Sequence, residues 1–171
     1  MTEQTMFNRR AALGLLSAGA TVPGAALANA PREVMWDDLI PPGVPYSEII
    51  GEGEIDEIND FWAPIYDANA TKLNETLDGA YIRMPGYIIP FDFSAQGVTE
   101  FMLVPYVGAC IHVPPPPANQ LVMCRTKTPW PTDGLWDPVW VTGIMRTELQ
   151  STELGETGYA LVADKMEVYE W

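Results

Sequence analysis

The sequence predicts a mainly β protein, a small five-stranded OB-like barrel with an N-terminal helical segment. From residue 80 onward, β-branched and aromatic residues dominate about five runs, which are separated by turns rich in glycine and proline. The first run contains Pro85-Gly86, which predicts a sharp bend or bulge within a long strand. A long, bent first strand followed by four others is typical of a curled OB barrel, and a two-layer sandwich is the alternative.

A helical segment is predicted over residues 54–77. Pro64 is expected to kink it, and Asp78-Gly79 is expected to end it. We expect its apolar stripe to cover one side of the barrel. The stripe consists of apolar residues at spacings of three and four with acidic residues between them: Ile55, Ile58, Trp62 and Ile65.

The five strands are expected to follow this segment in chain order. Each one is a run of β-forming residues that ends at a turn, as at Gln96-Gly97 or at the four prolines 114–117. The predicted strands cover residues 80–93 with a bend, 99–113, 119–127, 139–149 and 158–171.

The first 30 residues predict an export signal. Arg9-Arg10 with Leu13 resembles a twin-arginine signal, although Ala12 stands where an aromatic residue is common, so the general secretion route stays open. A helix that spans a bilayer needs about 20 apolar residues, and the apolar segment of residues 11–27 is shorter than this. Its length therefore favours cleavage over anchoring. We therefore expect cleavage after about Ala30 and a periplasmic mature protein.

The mature chain has the length of one domain. Residues 31–53 are expected to form an extended N-terminal arm that docks Trp36 and Leu39, and residues 54–171 a single β-barrel domain with its N-terminal helix. The chain has a formal net charge of −14, which disfavours nucleic acid and anionic membranes as partners. No segment after the signal is long and apolar enough to span a bilayer.

The stretch of residues 108–117 is the candidate site. It holds Cys110, the sole histidine His112, and four consecutive prolines. A proline run cannot continue a sheet or helix, so it predicts a stiff connector at the end of a strand. On a strand, Cys110 and His112 share one face about 6.6 Å apart, so both can reach one ion.

Thiolate with imidazole favours a transition metal, zinc or copper. Two ligands do not complete a site. Glu100 and Cys124 are the main candidates for the others, and a methionine ligand would favour copper. Further candidates are Asp92, Asp133, Met102 and Met123.

Two other interpretations stay open. A hairpin that turns at the prolines makes Cys110 and Cys124 cross-strand partners, and a structural disulfide between them is typical of an oxidising compartment. The protein is then a non-catalytic interaction module, with a rigid apolar surface made of the proline run and three tryptophans: Trp130, Trp136 and Trp140. The lesser alternative is a hydrolase-type enzyme in which Cys110 is the nucleophile, His112 the base and Asn119 the orienting residue.

Three blocks of sequence resemble a bacterial family of exported proteins and lipoproteins that is catalogued as a domain of unknown function. The blocks are residues 81–90, residues 99–120 with the signature GACIHVPPPP, and residues 138–143. The resemblance implies export and, because some members are encoded near ABC transporter components that include metal-uptake systems, a link to transport. The expected function is a periplasmic binding or accessory protein, metal-linked, whose partner is a transition metal ion or an envelope or transporter protein.

Overall fold

The computed structural model describes residues 30–56, 61–109, 113, 115–132, 134–152 and 154–170. Eight strands and three short 3₁₀ helices make up its regular structure. The strands are β1 (Arg32–Glu33), β2 (Ile49–Asp56), β3 (Phe61–Tyr66), β4 (Tyr81–Pro90), β5 (Val98–Val104), β6 (Val122–Trp130), β7 (Pro138–Thr152) and β8 (Gly155–Val168). The 3₁₀ helices are Trp36–Leu39, Glu75–Leu77 and Ala118–Gln120.

Five of these strands close into a barrel, which confirms the predicted fold class. The strand order is β4-β5-β6-β8-β7, and β7 pairs back onto β4. Strands β6 and β8 run parallel, and every other pair in the ring is antiparallel. This closed Greek-key arrangement of five strands is the OB type.

The first barrel strand reaches both neighbours because it bends. Its Tyr81–Tyr87 half pairs with β7, and its Tyr87–Pro90 half pairs with β5. At the bend, a Cβ added to Gly86 would lie 2.6 Å from the Leu103 side chain and 2.9 Å from Trp36. Glycine is therefore required at this position by close approach of its neighbours.

The barrel interior holds the main core. Inward-facing residues of all five strands are buried in one cluster, which includes Phe101, Leu103, Cys124 and Tyr159. The N-terminal arm adds Val34 and Leu39 to the same cluster, and Trp36 packs against it. A second, smaller apolar cluster lies on the other face of β5, around Met102 and Val104.

Tyr159 joins the arm to the barrel. Its hydroxyl donates to the Leu39 carbonyl over 2.5 Å and accepts from the Asn74 backbone N–H over 2.6 Å. The Asn74 amide then donates to the Asp38 carbonyl over 2.7 Å. Burial raises the pKa of Tyr159 to about 12, so the hydroxyl keeps the proton that it donates.

The predicted helix over residues 54–77 is wrong. Strands β2 and β3 pair antiparallel, and among the described residues of this stretch only Glu75–Leu77 is helical, as a 3₁₀ turn. The spacing of Ile55 and Trp62 predicts a helical stripe, but these two residues are cross-strand partners. Gly53 has a φ of +72°, and Pro64 lacks an N–H, and both features oppose a continuous helix.

The predicted packing of that stripe is also wrong. Ile55 is 71% exposed and Ile65 is 51% exposed, while Ile58 lies outside the described residues. Strand β2 begins at Ile49, so the predicted boundary between residues 53 and 54 falls inside a strand. The predicted export signal also lies outside the described residues, apart from Ala30. In the described part of the chain, no helix is long and apolar enough to cross a membrane.

Candidate functional site

Cys110 and His112 lie outside the described residues, so their pairing at one site stays a prediction. The described residues on either side are tied together. The Val113 N–H donates to the Gly108 carbonyl over 3.2 Å, and Ala109 forms an isolated bridge with Val113. Ala109 is fully buried in the smaller apolar cluster. The thiol and the imidazole therefore belong to a segment that starts and ends next to anchored backbone.

The predicted hairpin register is wrong. Strand β5 ends at Val104 rather than at residue 113, because Pro105 supplies no N–H and Gly108 turns the chain with a φ of +90°. Cys124 therefore pairs with Phe101, not with Cys110. The apolar run continues past the strand because Ala109 packs on the outer face of β5 instead of extending it.

Cys124 is a free thiol inside the barrel. It is fully buried, and its Sγ donates weakly to the Val122 carbonyl over 3.7 Å. Burial raises the pKa of this thiol far above its ordinary value, so it is neither a ready thiolate ligand nor a nucleophile. Because Cys124 is a free thiol, the predicted alternative of a Cys110–Cys124 disulfide is wrong.

Glu100 lies on the opposite face of the sheet from Cys124. Its cross-strand partner is Arg125, whose guanidinium donates to Glu100 Oε1 over 2.9 Å. Neighbouring residues of a strand point to opposite faces, so Glu100 faces outward where Phe101 and Cys124 face inward. Glu100 and Cys124 therefore do not meet at one ion, and the predicted set of four metal ligands is not brought together.

The other metal-ligand candidates have structural surroundings. The Asp92 carboxylate accepts bonds from the Thr99 N–H at 2.9 Å, the Thr99 hydroxyl at 2.7 Å and the Glu100 N–H at 2.8 Å. Met102 and Met123 are buried cross-strand partners, and Asp133 lies outside the described residues. Within the described ranges, no group of three or more His, Cys, Asp or Glu residues is placed to hold a metal ion.

The proline run is buried rather than exposed. Residues 115–117 have little accessible surface, and Pro114 lies outside the described residues. The Tyr66 hydroxyl donates to the Pro115 carbonyl over 2.9 Å. The predicted rigid apolar surface made of prolines and tryptophans is therefore wrong for the prolines.

The three tryptophans serve separate parts of the fold. Trp130 packs against the main core and Trp136 against the smaller cluster. Trp140 carries the Arg83 guanidinium 3.9 Å above its ring and meets the Tyr169 ring edge-on at 5.1 Å. These contacts stabilise the barrel and do not assemble a common surface.

Asn119 anchors the turn that follows the prolines. Its amide nitrogen donates to the Asn69 carbonyl over 2.9 Å and to the Lys72 carbonyl over 3.2 Å. Its backbone N–H donates to the Ala70 carbonyl over 2.9 Å. Its Oδ1 is buried and has no hydrogen-bond partner among the residues that the structure describes.

A cleft of about 480 Å³ opens beside the buried prolines. We call it the proline cleft. Three parts of the chain line it: the end of β3 with the turn after it (within residues 63–71), the proline run with its 3₁₀ turn (within 115–121), and the end of β7 with the start of β8 (within 152–156). Its volume is within the range of small-molecule sites.

Two carboxylates line the proline cleft. The Asp67 carboxylate accepts from the Asn69 N–H at 2.9 Å and from the Asn69 side-chain amide at 3.1 Å, which fixes its orientation. Glu156, the second residue of β8, is exposed. The described lining residues include no lysine, arginine or histidine.

Comparison with known families settles where the chain belongs. The family model described as "Protein of unknown function (DUF3299)" matches residues 36–168. The chain belongs to this family. The resemblance found in the sequence is thereby confirmed as a family membership, while the signature motif and the lipoprotein character of some members stay predictions for this chain.

A solved structure supports the same DUF3299 assignment. The crystal structure of a DUF3299 family protein from Pseudomonas aeruginosa PAO1, at 2.45 Å resolution, is 38% identical to this chain with a TM-score of 0.66. The match covers 83% of this chain and 98% of that chain. A search among curated proteins found no match.

The proline cleft itself was not predicted from the sequence. Tyr66 and Asp67 lay within the stretch assigned to a helix, and the turn-forming residues of Asp67-Ala68-Asn69 were the signal that could have corrected this. No local pattern in the sequence marks Glu156. The barrel topology brings it to the same cleft as Asp67, which lies far before it in the sequence.

Proposed function

We propose that this DUF3299 protein is an exported periplasmic binding or accessory protein, and that its ligand occupies the proline cleft. The observation that carries this proposal is the rigidity of the cleft wall. Pro115 and Pro116 have fixed φ angles, Tyr66 is hydrogen bonded to Pro115, and Asn119 holds the adjoining turn. A wall of this kind binds a ligand with little further ordering, which favours affinity.

In addition to the ligand of the proline cleft, the proposal includes a transition metal, zinc or copper, bound by Cys110 and His112. Two residues apart, their Cα atoms are at most about 7 Å from each other, and the hydrogen bond between Val113 and Gly108 restrains the backbone on both sides. Since Glu100 and Cys124 face opposite sides of the sheet, at most one of them can be a further ligand of the same ion. Binding requires a thiolate and a neutral imidazole, so affinity should fall below about pH 6.5.

The proposed partner is an envelope or transporter protein of an ABC system. Support comes from the family resemblance and from the strongly acidic chain, which attracts cations and basic surfaces. The Arg9-Arg10 export signal is part of the same proposal.

The metal part is tested by titrating the reduced full-length mature protein with Zn²⁺ and Cu⁺. We expect Cys110→Ser and His112→Ala each to weaken binding at least tenfold without a change in the circular dichroism spectrum. Cys124→Ala is the matched control, because it removes the other thiol from inside the barrel and should leave the affinity unchanged. Equal affinities for all four proteins, or no binding by the wild type, would end the metal hypothesis.

One observation favours the hydrolase-type alternative as a second candidate. The buried Asn119 Oδ1, which has no partner among the described residues, is an acceptor that an imidazole N–H could satisfy. An activated Cys110 would react with iodoacetamide well below pH 8.5, the ordinary thiol value, and His112→Ala would remove this low-pH reaction. An alkylation profile centred near pH 8.5 in both proteins would eliminate the enzyme.

A further inference from the structure

The polar groups of the proline cleft are mainly acceptors. Proline residues contribute carbonyls but no N–H, and three of them, Pro64, Pro115 and Pro116, line the cleft. The backbone N–H groups of Asp67, Ala70 and Leu121 are already used, by the carbonyls of Glu48, Asp67 and Ala118 respectively. The Thr152 hydroxyl donates to the Gly155 carbonyl, so it is not a free donor either.

The charged acceptors of the cleft are the two carboxylates. Asp67 receives one hydrogen bond on each oxygen, both from Asn69, and a carboxylate has room for about four. These bonds hold the Asp67 group in place and leave about half of its lone pairs available. Glu156, the second residue of β8, adds a second negative charge to the cleft lining.

The rest of the lining is apolar. Ala63 and Pro64 are half-buried and supply hydrocarbon surface between the polar groups, whereas Pro116 and Leu121 are buried and contribute little accessible surface. In the sequence around the β3 wall, residues 33–71 contain ten acidic residues, and Arg32 and Lys72 flank this range. Lys72 donates to Asn69 Oδ1 over 2.8 Å, so it offsets part of the negative charge near Asp67. The cleft therefore combines a hydrocarbon wall with two carboxylates, and an anionic ligand would meet net repulsion there.

We propose that the proline cleft binds an organic cation, a primary ammonium or guanidinium group carried on an aliphatic stem. The stem packs on the wall formed by Ala63 and Pro64, and the charged head donates to Asp67 and Glu156. Charge-assisted hydrogen bonds of this kind are about twice as strong as neutral ones. This inference rests on the proposed function, because it names the ligand class of the same cleft. The cation comes either from a free alkylamine or from a lysine or arginine side chain of a partner.

The test measures the affinities of two probes of equal length, n-hexylamine and n-hexanol, by NMR titration of the full mature protein. We expect hexylamine to bind at least tenfold more tightly than hexanol. Asp67→Asn and Glu156→Gln should each weaken hexylamine binding at least fivefold while leaving hexanol unaffected. Glu148→Gln, an exposed site on β7 outside the cleft, removes the same charge and is the matched control.

A blocking variant separates this inference from the proposed function. Thr71 is exposed and lines the cleft, so Thr71→Trp should fill it, whereas Thr128→Trp places the same bulk on an exposed β6 residue outside it. Equal binding of both probes, blocked by Thr71→Trp alone, would overturn the cation and keep the cleft. Binding of the probes that Thr71→Trp does not affect would overturn both the cation and the cleft as the binding site. An effect of Glu148→Gln on hexylamine binding as large as that of Asp67→Asn would overturn the cation proposal alone. No binding of hexylamine at millimolar concentration would likewise refute the cation.

The source of the cation is decided by a second pair of probes. A capped Gly-Lys-Gly peptide and its acetyl-lysine counterpart present the same stem on a protein backbone. Binding of the lysine peptide at least as tight as that of hexylamine would assign the cleft to a partner protein's side chain. Tighter binding of free hexylamine would assign it to a small amine.

Discussion

Replacing Tyr159 by phenylalanine should weaken the joint between the N-terminal arm and the barrel. The Tyr159 hydroxyl satisfies the Leu39 carbonyl and the Asn74 backbone N–H at the same time, and all three residues are buried. The phenylalanine ring fills the same space, so the change removes these two hydrogen bonds and creates no large cavity.

The expected cost follows from those two bonds. Each one contributes about 1 kcal/mol net, and a buried donor or acceptor left without a partner costs about 1–3 kcal/mol. Partial relaxation of the arm toward water reduces the second term, which leaves about 2–4 kcal/mol for the variant. For a domain of this length, that loss corresponds to a decrease in Tm on the order of 10 °C.

Thermal unfolding followed by circular dichroism measures this decrease, with Tyr81→Phe as the matched control. The Tyr81 hydroxyl donates to Asp164 over 3.3 Å at the surface, so its loss should cost less than about 0.5 kcal/mol. Equal Tm values for the two variants would refute the argument that Tyr159 joins the arm to the barrel.

Two further variants test the barrel and its pH dependence. Gly86→Ala should cost about 1–3 kcal/mol because its Cβ would meet Leu103 and Trp36, whereas Gly134→Ala, which has open space, should be within about 0.5 kcal/mol of wild type in urea unfolding. Burial raises the pKa of Asp92, but hydrogen bonds from Thr99 and Glu100 outweigh this and lower it below the usual value. Asp92 therefore stabilises the fold above its unfolded-state pKa of about 3.9, and this contribution is lost as the pH falls through the lowered folded-state value. Asp92→Asn should accordingly lower the Tm at pH 7 and have little effect at the acidic end, and a difference in Tm that does not depend on pH would contradict this.

The barrel could be predicted because its signals are local. Strands β4 to β8 appear in the sequence as β-branched runs separated by turns, and the bend at Gly86 is marked by its Pro-Gly pair. The closing pair of β4 with β7 then follows from the OB topology, since the first strand is long enough to reach two neighbours.

The hairpin β2–β3 could not be separated from a helix by spacing alone. Ile55 and Trp62 are seven residues apart, which is two helical turns and is also the separation that these two residues have as cross-strand partners. The spacing of these two side chains fits both a helix and a hairpin. The two glycines of β2 are the stronger signal, because glycine disfavours a helix.

The candidate site was only partly accessible from the sequence for a different reason. Cys110 and His112 were found by their rarity, but the ligands assigned to them depended on a strand register that Pro105 changes. The proline cleft joins Asp67, Pro115 and Glu156, which lie far apart along the chain, so only the three-dimensional fold brings them together.

The central claim is that this DUF3299 protein is exported and binds a transition metal through Cys110 and His112. It is tested most directly by mass spectrometry of the protein isolated from the periplasm, first under native conditions and then after denaturation. We predict a denatured mass that corresponds to a chain beginning at about Pro31 with both thiols reduced, and a native mass that is larger by one zinc or copper ion. Identical native and denatured masses, or a denatured mass lower by two hydrogens, would contradict the claim.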